Sequence, residues 1–379
     1  MEKFTYFNPT VLHFGRGVLD ALPGTIKQYG NRVLLVYGKG SIKHSGLYDK
    51  IAGLLNAAGI EVVEYGGIRP NPVVEDVDEA ASLGRKEKIE VILAVGGGSV
   101  IDSAKIISIT IPANHPAWNF YTYRAKPVSA IPMIAVLTLA ATGTEMNPFA
   151  VLQNEKTGRK DGYRSDLIFP RHSFLDPELT VSVPGNYTAF GIADLIAHCL
   201  ENYFGPGEFS LTDRFIFSII SDAVEWGPRL MINLQGVEER AAIMYDATMA
   251  LNLLTSNGKG GGDWGVHAMG HMLSLHYGVA HGASLSILFP AWMKVMKNRA
   301  AERILKLGLS VFGTSDVDSS IKAFEDFFKQ IGSPTSLSEI GLGEDQHEAI
   351  ENYWMNTKAQ GSAYKLSKED YHQIIKFMA

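Results

Sequence analysis

The spacing of apolar residues changes about halfway along the chain. In the first half, short runs rich in β-branched residues each end in a turn and lead into a helical stretch. This alternation predicts parallel strands with helices on both faces of the sheet. The predicted strands are Arg32–Tyr37, Glu61–Tyr65, Glu90–Val95, Met133–Leu137 and Ser173–Leu175, and helices follow the first three at 45–58, 74–88 and 99–108.

From Tyr187 onward, apolar residues recur at helical spacing and no strand is predicted. The predicted helices are 188–203, 210–227, 237–257, 263–276, 282–313, 317–331 and 367–378. Between the halves, the Pro and Gly of the segment 183–186 interrupt both patterns. We therefore predict an α/β domain over 1–185 and an all-α domain over 186–379, with a ligand in the cleft between them.

The composition excludes several classes of function and of metal site. The 379 residues carry 34 Lys+Arg against 40 Asp+Glu, a net charge of −6, with no basic run of the kind that binds nucleic acid or an anionic membrane. No signal peptide and no apolar segment long enough to span a membrane is recognisable, which predicts a cytoplasmic protein with a small-molecule partner. The single cysteine, Cys199, excludes metal sites that need two thiolates, so any metal is held by His and carboxylates.

A glycine-rich turn, Gly96–Ser99, joins a predicted strand to a predicted helix. Glycines and a helix N-terminus together present backbone N–H groups to an anion, which favours a phosphate or pyrophosphate. The turn does not match the G-x-G-x-x-G fingerprint, because Ile101 stands at the third glycine position, and it lacks the Lys-Ser/Thr of a P-loop. The alternative is a tight turn in which Ser99 caps the helix and Asp102 completes a capping box.

A second glycine turn, Gly38–Ser41, follows the first predicted strand. No acid lies between Tyr37 and Lys43, whereas NAD-selective sites usually place an acid on the ribose 2′-OH. Lys39 and Lys43 suit a 2′-phosphate, so the charges favour NADP over NAD, the alternative being a solvated turn that happens to carry lysines. The basic residues of 156–160 are also interpreted as a solvated turn.

Four histidines fall within fifteen residues: His267, His271, His276 and His281. At about 100° per residue, His267 and His271 lie roughly 40° apart on one helix face, while His276 lies about 180° from His267. His276 is therefore a poor partner for the other two. Gly278 is expected to end the helix, after which His281 could return to the same face.

Asp194 and His198 form a second i, i+4 pair on an otherwise apolar predicted helix. An acid and a histidine buried on such a face are costly unless they are paired or bind a cation. Together with the histidines of the later segment they can supply three nitrogens and one oxygen, a set that suits Zn²⁺ or Fe²⁺ and is also accepted by Ni²⁺ and Co²⁺. The alternative is that each pair is an accident of core or surface packing. Spacing alone leaves open whether His271 is a ligand or a proton carrier.

The motifs resemble those of the iron-containing (group III) alcohol dehydrogenases, in particular the bacterial butanol dehydrogenase and aldehyde reductase branch. The resemblance extends over essentially the whole chain. It is carried by the segments 7–17, 69–72, 96–105, 137–147 and 176–177 and by the two segments with metal-type spacing. Three positions depart from the family pattern: Leu139 replaces a second threonine, Met272 follows His271 where many members have proline, and Lys39 stands where related NADP-using members often have glycine.

The resemblance implies a dinucleotide-binding α/β domain and a helical metal-binding domain. It implies metal ligands at Asp194, His198, His267 and His281, and catalytic roles for His271, as a proton relay, and for Asp102. The cofactor positions that it implies are Gly38, Ser41 and Asn71 for the adenosine, Gly97, Gly98, Ser99 and Asp102 for the pyrophosphate, and Thr138, Thr142, Asn147 and Lys160 for the ribose and nicotinamide.

The expected activity is reversible, metal-dependent hydride transfer between NAD(P)(H) and a small aliphatic primary alcohol or aldehyde, such as butanol or butanal. A homodimer is expected from the family. The alternatives are a polyol or glycerol dehydrogenase of the same group, a metal hydrolase whose glycine turns are only structural, and a nucleotide-binding protein with a structural metal.

Overall fold

The computed structural model describes residues 1–379 and consists of two compact units. One unit is Asn8–Val183, and the other is Pro184–Ala379 together with Met1–Phe7. The predicted division lay two residues later and placed the first seven residues with the α/β domain. In the structure these residues lie on the helical unit, where the Glu2 N–H donates to the Gly258 carbonyl (3.1 Å) and the Phe4 ring contacts Phe209.

A six-stranded sheet forms the centre of the α/β unit. Its strands are β1 (Val11–Phe14), β2 (Arg32–Gly38), β3 (Glu61–Ile68), β4 (Val91–Gly96), β5 (Met133–Leu137) and β8 (His172–Leu175). They pair in the order β1-β8-β5-β4-β2-β3, and every pairing is parallel. The predicted parallel sheet is confirmed. Strands β4 and β5 are buried at every residue, which explains their uninterrupted apolar sequences.

The sheet is covered by helices. They are α1 (Leu22–Ile26), α2 (Ser41–His44), α3 (Leu47–Ala57), α4 (Val74–Lys86), α5 (Gly98–Thr110) and α6 (Trp118–Tyr121). Side chains of α1, α2 and α3 form one buried cluster with Leu35, Leu93 and Val136 of the central strands. Helix α5 follows β4 directly, so its first residues lie at the carboxyl edge of the sheet.

Three strands of this unit were not predicted. Strand β1 is only four residues long, lies at the sheet edge and is partly exposed, so its apolar signal is weak. Strands β6 (Phe149–Asn154) and β7 (Arg159–Arg164) form a separate antiparallel hairpin. Strand β7 has the sequence RKDGYR, whose charges point to a loop when considered alone.

The second unit is helical. Its helices are α7 (Gly185–Tyr203), α8 (Ser210–Ile232), α9 (Val237–Ala250), α10 (Gly265–Tyr277), α11 (His281–Met296), α12 (Ala301–Phe312), α13 (Val317–Gln330), α14 (Glu344–Thr357) and α15 (Lys368–Met378). The single helix predicted over 282–313 is two helices, and the helix predicted over 237–257 ends at Ala250. Helix α14 was not predicted because only Ile350 and Trp354 of it are buried. No helix is both long enough and apolar enough to cross a membrane.

Candidate metal centre and cofactor site

Three helices of the helical unit bring the predicted metal ligands together. Helix α7 carries Asp194 and His198, α10 carries His267, and His281 is the first residue of α11. Helix α11 approaches α7 so closely at its start that a Cβ on Gly282 would lie 1.9 Å from the Phe190 carbonyl oxygen. Glycine at this position therefore allows the preceding histidine to reach α7.

The histidine nitrogens converge on one carboxylate oxygen. The Nε2 atoms of His198, His267 and His281 lie 3.6, 3.9 and 3.6 Å from Asp194 Oδ1. Ligand atoms of Asp194, His267 and His281 lie within 4.8 Å of one another, a tight group that does not include His198. His198 nevertheless shares the contact with Asp194 Oδ1, and its ring stacks on that of His267 with the centroids 4.9 Å apart.

These separations fit ligands of a common ion. They exceed the N···O distances of hydrogen bonds, about 2.7–3.2 Å. Four ligands placed about 2.1 Å from one ion in a tetrahedron lie about 3.4 Å from each other. Three imidazoles and one carboxylate are also a donor set that first-row divalent metals accept. The residues present therefore fit a divalent metal.

Burial keeps the His198 imidazole in the form that coordinates metals. Asp194, His198 and His267 are buried, while His281 is partly exposed. Burial, with a smaller effect of His267, lowers the pKa of His198 well below its usual value of 6.5. A neutral ring at neutral pH leaves a nitrogen lone pair for a cation.

Glu201 belongs to this centre, and the sequence analysis missed it. It lies on α7, buried, and one carboxylate oxygen accepts hydrogen bonds from both the backbone N–H and the ring Nδ1–H of His267, each 2.8 Å long. Burial raises the pKa of Glu201 to about 8, and the His267 N–H opposes that rise. The bond to Nδ1 leaves Nε2 of His267 facing Asp194, as in carboxylate–histidine–metal arrangements. The available signal was spacing, because Asp194, His198 and Glu201 are at i, i+4 and i+7.

The other two histidines of this segment lie differently. His271 is partly exposed, and its ring centroid is 5.3 Å from that of His281. His276 is exposed and stacks on Tyr353 with the ring centroids 3.9 Å apart. Gly278, in the left-handed conformation, caps α10 as predicted.

The glycine turns of the α/β unit lie at strand ends. Gly38 ends β2, Ser41 begins α2, and Gly97 is the N-cap of α5. Ser99 therefore lies inside the helix, and the alternative in which it caps the helix is wrong. The backbone of the next loop joins the same edge of the sheet, since the Thr138 N–H donates to the Gly96 carbonyl at 3.0 Å.

Asp102 ties α5 to the segment 144–151. Its Oδ1 accepts from the Thr144 hydroxyl (2.5 Å) and its Oδ2 from the Val151 N–H (2.8 Å), so it does not cap its own helix. Burial raises the pKa of Asp102, and the charge of Lys105 opposes that rise. Both carboxylate oxygens are used to hold this segment in place.

Lys105, completely buried one turn further along α5, holds the same segment. Its ammonium donates to Thr144 Oγ1 (2.7 Å), to Asn147 O and Oδ1 (2.8 and 3.0 Å) and to Phe149 O (2.7 Å). Burial lowers the pKa of Lys105 to about 7, while Asp102 favours its charged form. Asn147, a predicted cofactor position, is thus fixed by a lysine that the sequence analysis did not single out.

Lys160 corrects the interpretation of 156–160 as a solvated turn. It lies on β7, is buried, and donates to Asn71 Oδ1 at 2.8 Å, so the structure joins two predicted cofactor positions. Lys156 is exposed beside Glu75 at 3.4 Å, and Arg159 pairs with Asp161, as expected for solvated residues.

An acid lies near the first glycine turn after all. Glu64 of β3 accepts hydrogen bonds from Tyr37 (2.8 Å) and Tyr48 (2.5 Å). The bond from Tyr48 lowers the pKa of Glu64, so the carboxylate is ionised at neutral pH. The Lys43 ammonium lies 5.1 and 4.7 Å from the two ring centroids. The acid that is absent between Tyr37 and Lys43 in the sequence is therefore supplied by the neighbouring strand, which weakens the charge argument for NADP.

Comparison with known proteins covers both units. The family described as "Iron-containing alcohol dehydrogenase" matches residues 9–177, and "Fe-containing alcohol dehydrogenase family, C-terminal" matches residues 188–378. A probable NADH-dependent butanol dehydrogenase of Bacillus subtilis is 39% identical over 99% of both chains. The NADPH-dependent aldehyde reductase YqhD of Escherichia coli is 36% identical over 90% of both chains. The crystal structure of NADH-dependent butanol dehydrogenase A from Thermotoga maritima superposes with a TM-score of 0.96 at 36% identity, covering 100% of this chain and 99% of that one.

Proposed function

The chain belongs to the iron-containing alcohol dehydrogenase family, and on that premise we propose that it transfers a hydride reversibly between NAD(P)(H) and a small primary alcohol or aldehyde. The family uses a divalent metal with NAD(P), and the relatives include both NADH- and NADPH-dependent enzymes. The observation that carries the proposal is the convergence of three imidazole nitrogens on Asp194 Oδ1.

We assign the metal to Asp194, His198, His267 and His281. One carboxylate and three neutral imidazoles leave a divalent ion with a net charge of +1, which suits Fe²⁺ or Zn²⁺ beside an anionic oxygen. When bound, such an ion supplies Lewis acidity, which polarises a carbonyl and stabilises an alkoxide. Glu201 orients His267 by accepting its Nδ1–H.

We assign the proton transfer of the reaction to His271. Its ring is next to that of His281, and it is partly exposed. Imidazole carries both a donor and an acceptor nitrogen, so a partly exposed ring can pass a proton between the site and water. This position supports a relay rather than a fifth ligand.

The α/β unit supplies the cofactor site in this proposal. Backbone N–H groups of Gly97, Gly98 and Ser99 at the start of α5 suit the pyrophosphate, because the N-terminal end of a helix carries partial positive charge. Gly38, Ser41 and Asn71 are assigned to the adenosine, and Thr138, Thr142, Asn147 and Lys160 to the ribose and nicotinamide. Asp102 acts in this proposal by positioning the segment that carries Asn147.

Small aliphatic aldehydes are the proposed substrates. The relatives are named as butanol dehydrogenases and as an aldehyde reductase. The segments 140–160 and 250–265 carry apolar residues such as Phe149, Leu253 and Leu254, which favours aliphatic aldehydes over polyols or phosphorylated polyols.

A substrate panel tests this function. Purified enzyme, loaded in turn with Fe²⁺ and Zn²⁺, is assayed with NADH and NADPH against butanal, dihydroxyacetone and dihydroxyacetone phosphate. We expect reduction of butanal to have the highest kcat/KM and to disappear on chelation of the metal. Preference for a polyol ketone would favour the glycerol dehydrogenase alternative, and ester or amide hydrolysis without a nicotinamide would favour the hydrolase.

We further propose a cytoplasmic homodimer. Strand β1 pairs with β8 on one side only, and Val11 and Phe14 are exposed on it. An open edge with apolar side chains is a surface on which a second copy can pair. One chain has a mass of 41.4 kDa, and light scattering should give twice that value. A monomer at micromolar concentration would contradict the proposal.

A further inference from the structure

The segment 253–264, which precedes α10, has an unusual backbone. Six of its twelve residues have positive φ, and two of them, Leu253 (φ 79°) and Trp264 (φ 63°), are not glycine. Large side chains rarely adopt this conformation, because Cβ then crowds the backbone carbonyl. Strained residues of this kind persist where the surrounding structure holds them, often beside ligand sites.

Several contacts hold Trp264 in this conformation. Its indole N–H donates to the Gly261 carbonyl at 2.5 Å. A Cβ on Gly262, itself at φ 89°, would lie 2.6 Å from the indole nitrogen, so the loop leaves room for the ring only with glycine there. Trp264 is also the N-cap of α10, the helix that carries His267.

The indole packs against two histidines of the metal centre. Its ring meets that of His267 edge to face with the centroids 5.0 Å apart, and that of His198 at 6.1 Å. Trp264 is partly exposed, although His198 and His267 are both buried. A large aromatic surface therefore stands beside the centre and is not fully enclosed.

We propose that Trp264 is a substrate-selecting residue, an aromatic wall beside the metal centre that limits the bulk of the group attached to the aldehyde carbon. The inference rests on the proposed function. A helix start needs no large ring, and a left-handed N-cap is most easily made by glycine or asparagine. The strain of a tryptophan here is explained if the ring itself contacts substrate.

The test compares aldehydes of similar reactivity and different bulk. Trp264→Gly removes the ring and relieves the backbone, Trp264→Asn does the same with a second residue that tolerates positive φ, and Trp264→Phe keeps an aromatic ring. We expect the ratio of kcat/KM for a branched aldehyde, 2,2-dimethylpropanal, to that for butanal to rise at least tenfold in the first two variants, and to change about threefold or less in Trp264→Phe. Lys358→Gly, which relieves a left-handed residue at the end of α14, is the matched control and should leave the ratio unchanged.

A second readout does not depend on turnover. Bound Co²⁺ quenches tryptophan fluorescence steeply with distance, so titration of metal-free enzyme with Co²⁺ should quench the wild type and Lys358→Gly strongly and Trp264→Phe weakly. Equal quenching in Trp264→Phe, or an unchanged ratio in metal-loaded Trp264→Gly and Trp264→Asn, would overturn the proposal for Trp264 alone. Absence of aldehyde reduction by the metal-loaded wild type would instead overturn the proposed function, and the selecting role with it.

Discussion

The proposed metal centre and the proposed cofactor turns would hold a charged ligand in different ways. The metal centre uses buried ionisable side chains from three helices that converge on Asp194. The turn before α5 offers backbone N–H groups and a helix end to the proposed pyrophosphate, with no charged side chain in the turn itself. A site built from side chains loses its ligand when one of those residues is replaced. A site built from backbone N–H groups instead depends on the residues that hold the surrounding loops in place.

The residues that support the two sites differ in how many groups they hold. Glu201 supports the metal centre through one imidazole. Lys105 supports the cofactor side through four oxygen atoms spread over 144–149. If the two sites are independent, variants of one unit should leave ligand binding to the other unchanged.

Asp194→Asn should have the largest effect, because the carboxylate contacts all three imidazoles and carries the only negative charge among the four proposed ligands. Loss of Lewis acidity worth about 4 kcal/mol lowers kcat/KM by about 10³-fold. Metal content by mass spectrometry should fall to background, while NAD(P)H binding, followed by fluorescence, stays as in the wild type. His276→Ala, at an exposed histidine of the same segment, should retain both metal and activity. Normal metal content and turnover in the Asp194→Asn enzyme would refute the ligand assignment.

Glu201→Gln should have a smaller effect on the same centre. The amide oxygen can still accept from the His267 Nδ1–H, but the side chain can no longer ionise when a cation binds at His267 Nε2. Changes of this kind typically weaken metal affinity by about 10–100-fold. Competition with a chromophoric chelator measures the affinity, and Glu225→Gln, at an exposed acid on α8, is the control. An unchanged dissociation constant for the metal would show that Glu201 fills space beside His267 without affecting metal binding.

The two sites also differ in how much of them could be predicted from sequence. The i, i+4 spacing on apolar helices makes two pairs recognisable from sequence, Asp194 with His198 and His267 with His271. Glu201 continues that spacing by one more turn and could have been found in the same way. Lys105, Glu64 and Lys160 could not, because their partners lie 16 to 89 residues away and are brought near only by sheet pairing and by the β6–β7 hairpin.

The same contrast applies to the fold. Buried strands such as β4 and β5 were predicted because every residue in them is apolar, whereas the edge strand β1 and the charged strand β7 lack that signal. Helices α11 and α12 were joined in the prediction because the turn between them, 297–300, contains no glycine or proline to mark a break. Local patterns predict elements whose burial is uniform, and they fail where tertiary contacts determine the conformation.

Lys105→Met tests the cofactor side. Removing the ammonium takes a charged donor away from four oxygen acceptors, of which Asn147 Oδ1 keeps the Phe149 N–H, and this should lower the free energy of unfolding by about 3 kcal/mol. Loosening of 144–149 should weaken NAD(P)H binding by about tenfold, equivalent to about 1.4 kcal/mol. Metal content should remain that of the wild type, and Lys86→Met, at an exposed lysine, should change neither property. Loss of metal from the Lys105 variant would contradict the independence of the two sites.

Glu64→Gln should have the smallest effect, on cofactor choice alone. The carboxylate, held by Tyr37 and Tyr48, lies with Lys43 next to the turn proposed for the adenosine. Removing its charge leaves Lys43 uncompensated, which should favour the 2′-phosphate of NADPH over NADH. Because interactions between exposed charges are weak, we expect the ratio of the two dissociation constants to change by about fivefold or less.

Glu61→Gln provides the matched control for this variant, because Glu61 is an exposed acid on the same strand that pairs with Arg32 instead. Its ratio of NADH to NADPH dissociation constants should equal that of the wild type. Since the groups are exposed, the shift caused by Glu64→Gln should shrink as the salt concentration rises from about 0.05 to about 0.5 M, following roughly the shortening of the Debye length. A ratio that moves toward NADH, or a shift independent of salt, would mean that Glu64 acts by positioning Tyr37 and Tyr48 rather than through its charge.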